Sequence, residues 1–360
     1  MNLPFSPPLD PMLAQIGETV PEEGRWLFEP KWDGFRAIVF RDGQELLIQS
    51  RDHRPLERFF PELVAPLLRD LPRRCVVDGE VILLGPQGLD FEALQLRLHP
   101  AESRIEKLAR ETPAGYVAFD LLALGDRDLR GEPQEARRAA LEDALGGVQA
   151  PLLVTPATRS REVARDWFDR LEGAGFEGLI AKPLDLAYQP KKRALLKIKH
   201  VRTVDCVVAG FRWHKNGPGE LVGSLLLGLY DDDGVLHHVG ITSSFKMTYR
   251  RELARRLEPL REGASESHPW LGEWAAAGNH GRRPAGSRWN PQKSLSWEPL
   301  RPELVVEVKF DYLQGGRFRH AATFLHWRED KLPEECTYDQ IEEPSPLDLS
   351  EFLRASGVGR

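Results

Sequence analysis

Residues Glu29-Pro30-Lys31-Trp32-Asp33-Gly34-Phe35-Arg36 set a lysine among two acids and an arginine, directly after the apolar run Trp26-Leu27-Phe28. A lysine is a nucleophile only with its amine deprotonated, which takes desolvation or cationic neighbours. Lys31 is therefore a candidate nucleophile. The alternative is a surface lysine in a turn made by Asp33 and Gly34. The two readings separate on whether the rest of the chain supplies a cation-rich, phosphate-binding pocket.

Four further stretches bear on that choice. Asp78-Gly79-Glu80 lies inside an apolar strand-like run. A carboxylate is expensive to bury unpaired, so Glu80 is expected at a strand end facing a site, accepting a ribose hydroxyl or coordinating a metal. In Tyr116-Val117-Ala118-Phe119-Asp120-Leu121-Leu122, Phe119 offers a ring that could stack on a base, with core packing as the competing role. Glu177-Gly178-Leu179-Ile180-Ala181-Lys182 gives a carboxylate entering a strand and a cation leaving it, and Glu177 suits magnesium. Leu195-Leu196-Lys197-Ile198-Lys199 puts Lys197 and Lys199 on one face, because side chains alternate along a strand. Paired lysines often only face solvent, but these also fit a phosphate grip that favours a reactive Lys31. Taken in order, the set favours the nucleophile over the turn.

The elements that must position these residues are readable. Strand-like segments fall at 37–40, 45–49, 75–84, 116–122, 178–182 and 195–199, and helical ones at 60–70, 91–98, 135–145 and 161–173. Mixed strands and covering helices imply an α+β domain over residues 1–200. Beyond His200 the texture is all-β. Strands are expected at 204–211, 221–230, 235–241, 304–311 and 317–327, with a helix at 248–260 and a hairpin turn at Asp231-Asp232-Asp233-Gly234. That pattern fits a Greek-key barrel of the OB type in a second domain, 201–360, with a hinge near 199–202 and an insertion near 262–300.

With 41% apolar and 29% charged residues the composition is that of a soluble globular protein. The absence of a transmembrane-length apolar run or a signal-like N-terminus, and three widely spaced cysteines (Cys75, Cys206, Cys336), point to the cytoplasm and to no membrane partner. The net charge of −6 argues mildly against nucleic acid, but between Tyr188 and Lys215 eight cations face the single acid Asp205. A local patch, not the total, makes an electrostatic footprint, although a charge run can also be only a solvated face.

The order of these stretches resembles that of the covalent nucleotidyltransferases, which comprise DNA ligases, RNA ligases and mRNA capping enzymes. Within them the chain looks like an ATP-dependent DNA ligase of the compact bacterial C type. The stretches that carry the likeness are Pro11-Met12-Leu13-Ala14, the Lys31 octapeptide, Ser50-Arg51, Asp78-Gly79-Glu80, the Phe119 strand, Glu177–Lys182, residues 192–199, the run from Arg301 and Arg328-Glu329-Asp330-Lys331. The fold implied is a nucleotidyltransferase (adenylation) domain followed by an all-β OB-fold domain.

By that resemblance Lys31 attacks the α-phosphate of ATP and forms a lysyl-AMP. Glu29 reads the adenine and Phe119 stacks on it. Arg36 and Glu80 hold the ribose and nick termini, and Arg51 contacts the ligand or a 5′-phosphate. Arg193, Lys197 and Lys199 grip phosphate. Glu80 and Glu177 support a metal, Mg2+ or Mn2+. Arg328, Asp330 and Lys331 close over the pyrophosphate. The implied partner is nicked double-stranded DNA, with repair proteins as further partners, and the implied state is a monomer near the bacterial nucleoid.

Only 30 residues precede Lys31, which leaves no room for the helical DNA-binding domain of larger ligases, so a salt-sensitive grip on DNA is expected. In the insertion, Trp270, Trp274, Trp289 and Trp297 with Arg282, Arg283, Arg288 and Lys293 either touch DNA or stabilise their own loop. Two other readings stay open: an RNA ligase or capping-type enzyme, and a non-catalytic OB-type binder. An NAD-dependent ligase would require an N-terminal extension, and typically a zinc finger, that this sequence lacks.

Overall fold

The computed structural model describes residues 1–85, 88–200, 202–266, 268–271, 296–311, 313–341 and 347–355. The chain forms two compact units, Met1–Lys199 with Pro344–Arg360, and His200–Glu343. Among the described residues no helix is long and apolar enough to cross a membrane.

The first unit contains two large sheets, besides a small hairpin of Leu84–Gly85 with Gly88–Leu89. One is built from β1 (Leu13–Gly17), β2 (Trp26–Pro30), β8 (Gly178–Pro183) and β9 (Arg193–Lys199), in the order β1-β9-β8-β2. β1 runs parallel to β9, and the other pairs are antiparallel. The other sheet contains β3 (Phe35–Asp42), β4 (Glu45–Ser50), β5 (Arg74–Ile82), β6 (Gly115–Leu124) and β7 (Leu152–Val154), in the order β7-β6-β5-β3-β4, with the short strand Arg127–Asp128 beside β6. Its central strands are buried on both faces and so read as near-continuous apolar runs.

Helices α1 (Pro61–Asp70), α2 (Phe91–Gln95), α3 (Glu102–Glu111), α4 (Gln134–Leu145) and α5 (Arg161–Leu171) complete the layer. α1 begins with proline at its first position, where the missing N–H costs nothing, and buries Leu63 and Leu67 one turn apart. Asp90 caps α2 through the Ala93 amide at 2.9 Å, and Ser160 caps α5 through the Val163 amide at 3.3 Å. The core of the second sheet packs Ile48, Phe60, Leu63, Leu94, Leu121 and Leu141 together.

The second unit is a five-stranded antiparallel sheet of β10 (Arg202–Trp213), β11 (Val222–Tyr230), β12 (Leu236–Thr242), β13 (Glu298–Phe310) and β14 (Thr323–Trp327), in the order β12-β11-β10-β13-β14. A parallel bridge from Thr242 to Ala322 brings the two edges together. Helix α6 (Met247–Leu257) follows β12 in the chain. This is the strand order of a partly open OB barrel, as expected from the sequence.

Several boundaries differ from expectation. The strand expected at 317–327 is two pieces: Arg317–Phe318 pairs with Leu313–Gln314 in a small hairpin, and only β14 joins the sheet. β1, β2, β7 and α3 lie in stretches too short or too polar to show a period. Residues 347–355, expected in the second domain, pack with the first unit. The cause is apolar: in α7 (Leu349–Ala355), Leu349 and Phe352 are buried, with the Phe352 ring 5.5 Å from Trp167 and 6.4 Å from Phe176. Of the insertion, Trp270 is a core residue whose Nε1 donates to Leu236 O at 2.8 Å, and Trp297 packs 5.9 Å from it. These two take the packing role. Trp274, Trp289, Arg282, Arg283, Arg288 and Lys293 lie outside the described residues.

Asp120 on β6 shows how this unit buries charge. It accepts from Arg137 Nε and Nη2 at 2.8 and 2.9 Å, and Arg137 also donates to the carbonyls of Glu132 and Leu186. Both side chains are nearly inaccessible. Removing one partner strands the other, so Arg137→Met should destabilise the protein by about 3–5 kcal/mol. Adding Asp120→Leu should recover part of that loss. Urea unfolding of the two variants measures both.

Candidate active site

The ladder of the first sheet assembles the chemistry. Glu29 pairs with Ile180, and Gly178 with Lys199. The residues just past these pairs, Lys31 after β2 and Glu177 before β8, are tied by Lys31 N to Gly178 O at 2.8 Å and Glu177 N to Lys31 O at 3.3 Å. Glu177 is thereby placed between two ammonium groups. Its carboxylate accepts from Lys31 Nζ in a very short contact and from Lys199 Nζ at 3.1 Å. Gly178 makes this possible. It sits at φ +131°, and a Cβ there would lie 2.0 Å from Ile198 O.

The second sheet supplies the opposite wall. Arg36 on β3 faces Glu80 on β5. Gly34 lets the loop after Lys31 approach β5 closely, because a Cβ there would be 2.1 Å from Val81 O. Arg36 donates from Nε and Nη2 to buried Asp78 at 2.7 and 2.6 Å, and the Tyr188 hydroxyl donates to the same carboxylate at 2.8 Å. Tyr188 Oη in turn accepts from Met12 N at 3.0 Å, which ties the Pro11–Ala14 stretch to the site. Between the pairs Asp78–Asp120 and Gly79–Ala118, β6 carries one extra residue, Phe119. A bulge of this kind re-aims a side chain. The Phe119 ring lines the cavity with the Arg36 guanidinium 4.3 Å and Lys182 Nζ 4.8 Å from its centroid.

The result is a cavity of about 320 Å³. Of the residues expected from the sequence, Lys31, Glu29, Arg36, Arg51, Glu80, Phe119, Arg193 and Lys197 line it. Glu177 and Lys199 join through their contacts with Lys31. Lys197 is pushed below the ordinary lysine range, first by desolvation and then by Lys199 and Lys31. Trp32 keeps a packing role: it is buried, 4.8 Å from the Phe176 ring, and its Nε1 donates to Thr155 Oγ1 at 2.8 Å.

Sequence reasoning missed four residues. Asp78 holds Arg36, and Tyr188 braces Asp78 by donating to the same carboxylate. Lys182 Nζ sits 2.8 Å from buried Glu29 and donates to Phe119 O at 3.0 Å. Arg138, from α4, lies 3.5 Å from the same carboxylate and donates to Thr155 O at 2.9 Å. Burial raises Glu29 above the usual carboxylate range, and Lys182 and Arg138 oppose that shift. Lys182 and Asp78 had a signal, since each lies an even number of residues along a strand from a residue that faces the site (Ile180 and Glu80). Arg138 had none.

Arg328, Asp330 and Lys331 belong to the second unit. Arg328 donates from Nε and Nη2 to Asp330 at 2.9 and 2.8 Å and from Nη1 to Asp205 at 3.1 and 2.9 Å, and Lys331 Nζ donates to Asp205 at 2.9 Å. Among the described residues no group of three or more His, Cys, Asp or Glu could by itself hold a metal ion. Isolated carboxylates such as Glu80 and Glu177 still fit Mg2+, which commonly takes one or two carboxylates and completes its shell with substrate phosphates and water.

Comparison with known proteins decides the family. Residues 11–199 match the ATP dependent DNA ligase domain and residues 218–331 the ATP dependent DNA ligase C terminal region. This chain belongs to the ATP-dependent DNA ligases. It is 52% identical to DNA ligase C of Mycobacterium tuberculosis, over 98% of this chain and 99% of that protein. It is 32% identical to the multifunctional non-homologous end joining DNA repair protein LigD of the same species, over 82% of this chain but 39% of that protein. The structure of a Lig E DNA ligase shares the fold, at 19% identity and a TM-score of 0.52, covering 88% of this chain and 99% of that one.

Glu80 gives this cavity a pH-dependent signature. Burial pushes its carboxyl from 4.5 up to about 7, against the pull of Arg36 and Lys31. Between those values the folded protein keeps a proton that the unfolded chain releases. The stability tied to Glu80 is therefore full below the unfolded value and lost as pH rises through about 7. In buffer with EDTA, the melting temperature of the parent protein should fall more between pH 5 and pH 8 than that of Glu80→Gln. An equal fall in both would show that Glu80 is ordinary.

Proposed function

We propose that this protein seals nicks in duplex DNA through a lysyl-adenylate on Lys31. The observation that supports this most is the placement of Lys31 at a cavity lined by Arg36, Arg51, Arg193 and Lys197, with Glu177 on its amine. A polyanion is matched by such a wall, and phosphoryl-type transfer asks for little beyond alignment and charge neutralisation.

In the first step the Lys31 amine attacks the α-phosphorus of ATP. The Nζ–P bond forms, the bond from the α-phosphorus to the bridging oxygen breaks, and pyrophosphate leaves with that oxygen. Glu177, already hydrogen-bonded to Nζ, receives the proton. Glu29, held by Lys182 and Arg138, accepts from the adenine amino group, and Phe119 stacks on the base. Arg36 and Glu80 orient the ribose, and Arg51, Arg193, Lys197 and Lys199 take the phosphates. Arg328 and Lys331 act on the pyrophosphate. In the second step an oxygen of the 5′-phosphate displaces Lys31 and takes the AMP. In the third, the 3′-hydroxyl attacks that 5′-phosphorus and AMP departs. Mg2+ or Mn2+ at Glu80 and Glu177 would neutralise charge on the non-bridging oxygens when bound.

The cellular setting proposed is DNA repair, in bacterial cytoplasm at the nucleoid, by a monomer working with other repair proteins. Family analogy supports this setting.

The protein incubated with ATP labelled at the α-phosphate and a divalent cation should become covalently labelled, and Lys31→Ala should carry none. It should then seal a nicked duplex bearing a 5′-phosphate, using ATP and neither GTP nor NAD. Labelling of Lys31→Ala equal to the parent would sink the mechanism, and a preference for nicked RNA would overturn the substrate.

A further inference from the structure

The second unit holds a buried acid that the ligation chemistry above does not use. Asp205 sits in β10 with 7% of its surface exposed. Its carboxylate accepts from Arg328 Nη1 through both oxygens, at 3.1 and 2.9 Å, and from Lys331 Nζ at 2.9 Å. Gln340 braces the group. Its Oε1 accepts from Asp205 N at 3.2 Å and from Lys331 Nζ at 3.1 Å, while its Nε2 donates to Asp205 O at 3.2 Å.

The two edges of the Arg328 guanidinium meet different partners. Nη1 is held by Asp205, which is anchored in a strand. Nε and Nη2 form a two-pronged contact with Asp330, whose side chain is 69% exposed. An ion pair to an exposed carboxylate is weak, whereas one to a buried, strand-anchored carboxylate is held in place. The Nε–Nη2 edge is therefore the exchangeable one. A phosphate oxygen pair has the same fork geometry as the carboxylate it would replace. Lys331 is fixed beside it by the same buried acid.

We propose that Asp205 is a positioning residue for adenylation. It locks Arg328 and Lys331 into one preformed cationic fork whose outer edge trades the Asp330 carboxylate for the pyrophosphate leaving group. This rests on the reading, given above, that Arg328 and Lys331 act on pyrophosphate. Asp205 touches no reacting atom and acts only through those two side chains.

The test separates the steps. Lysyl-adenylate formation from ATP is measured in one assay. In another, deadenylated protein seals a nick already carrying AMP on its 5′-phosphate, a step with no pyrophosphate. Asp205→Asn should slow the first reaction by about tenfold or more and change the second by less than about threefold. An equal fall in both would show that Asp205 only holds the barrel together, and no fall in either would show that the fork needs no anchor. Each result overturns the proposal. Should Asp205→Asn fail to fold, Gln340→Ala keeps every charge and loosens the same brace, and it should show the same split with a smaller amplitude. Arg328→Ala and Lys331→Ala test the underlying reading by themselves. If both adenylate at the parent rate, the fork does not act on pyrophosphate, whatever Asp205→Asn does.

Discussion

Four carboxylates at this site are each matched to a cation, and that pairing constrains the rest of the structure. Glu29 meets Lys182 and Arg138, Asp78 meets Arg36, Asp120 meets Arg137, and Glu177 meets Lys31 and Lys199. A cavity walled by cations must also be stable when empty. Uncompensated charge in a partly desolvated cavity would cost several kcal/mol per ion. The acids solve that problem by serving as resident counter-ions, each fixed on a strand or at a strand end so that the cations are held in place without a ligand.

Two sheets are needed because the pairs must come from different directions. The register of β2, β8 and β9 brings Lys31, Glu177 and Lys199 into one row, and the register of β3, β5 and β6 brings Arg36, Glu80, Asp78 and Phe119 into another. A shift of a single residue in either ladder would turn its side chains to the opposite face. The tight approaches at Gly34 and Gly178 act against such shifts, since each accepts only a residue without a Cβ. The glycine after Asp33 and the glycine after Glu177 thus fix where Lys31 stands.

Much of this was legible in the chain. Strand alternation exposed the paired Lys197 and Lys199, and the carboxylates inside apolar runs marked Glu80 and Glu177. The five strands and one helix of the barrel could be read from apolar periodicity and one Asp-rich turn. Other features could not. Phe119 reaches the cavity because of a one-residue bulge, and a bulge depends on the partner strand, not on local sequence. Arg138 lies on an amphipathic helix beside Arg137, and nothing in their spacing separates the one that holds Asp120 from the one that approaches Glu29. Helix α7 was not expected from the sequence, because the surface that buries Leu349 and Phe352 is made by Trp167 and Phe176, far away in the chain. Asp205 was legible only as the single acid in a basic stretch. Its meaning came from partners more than a hundred residues downstream.

The same pairing logic runs through both units, but the acids differ in how firmly they hold. Asp78, Asp120 and Glu29 are almost wholly buried, each with two or more donors, and exchanging them for phosphate would strand a desolvated carboxylate. They are permanent partners, and the cations they hold are positioned by them and not released. Glu177 and Asp330 are different. Glu177 touches the Lys31 amine directly, and Asp330 is largely exposed, so Asp330 can surrender its cation at a small desolvation cost. Burial and contact together therefore sort the acids: the deep ones aim the cations, while the exposed Asp330 and the amine-bound Glu177 are the two placed to change partners.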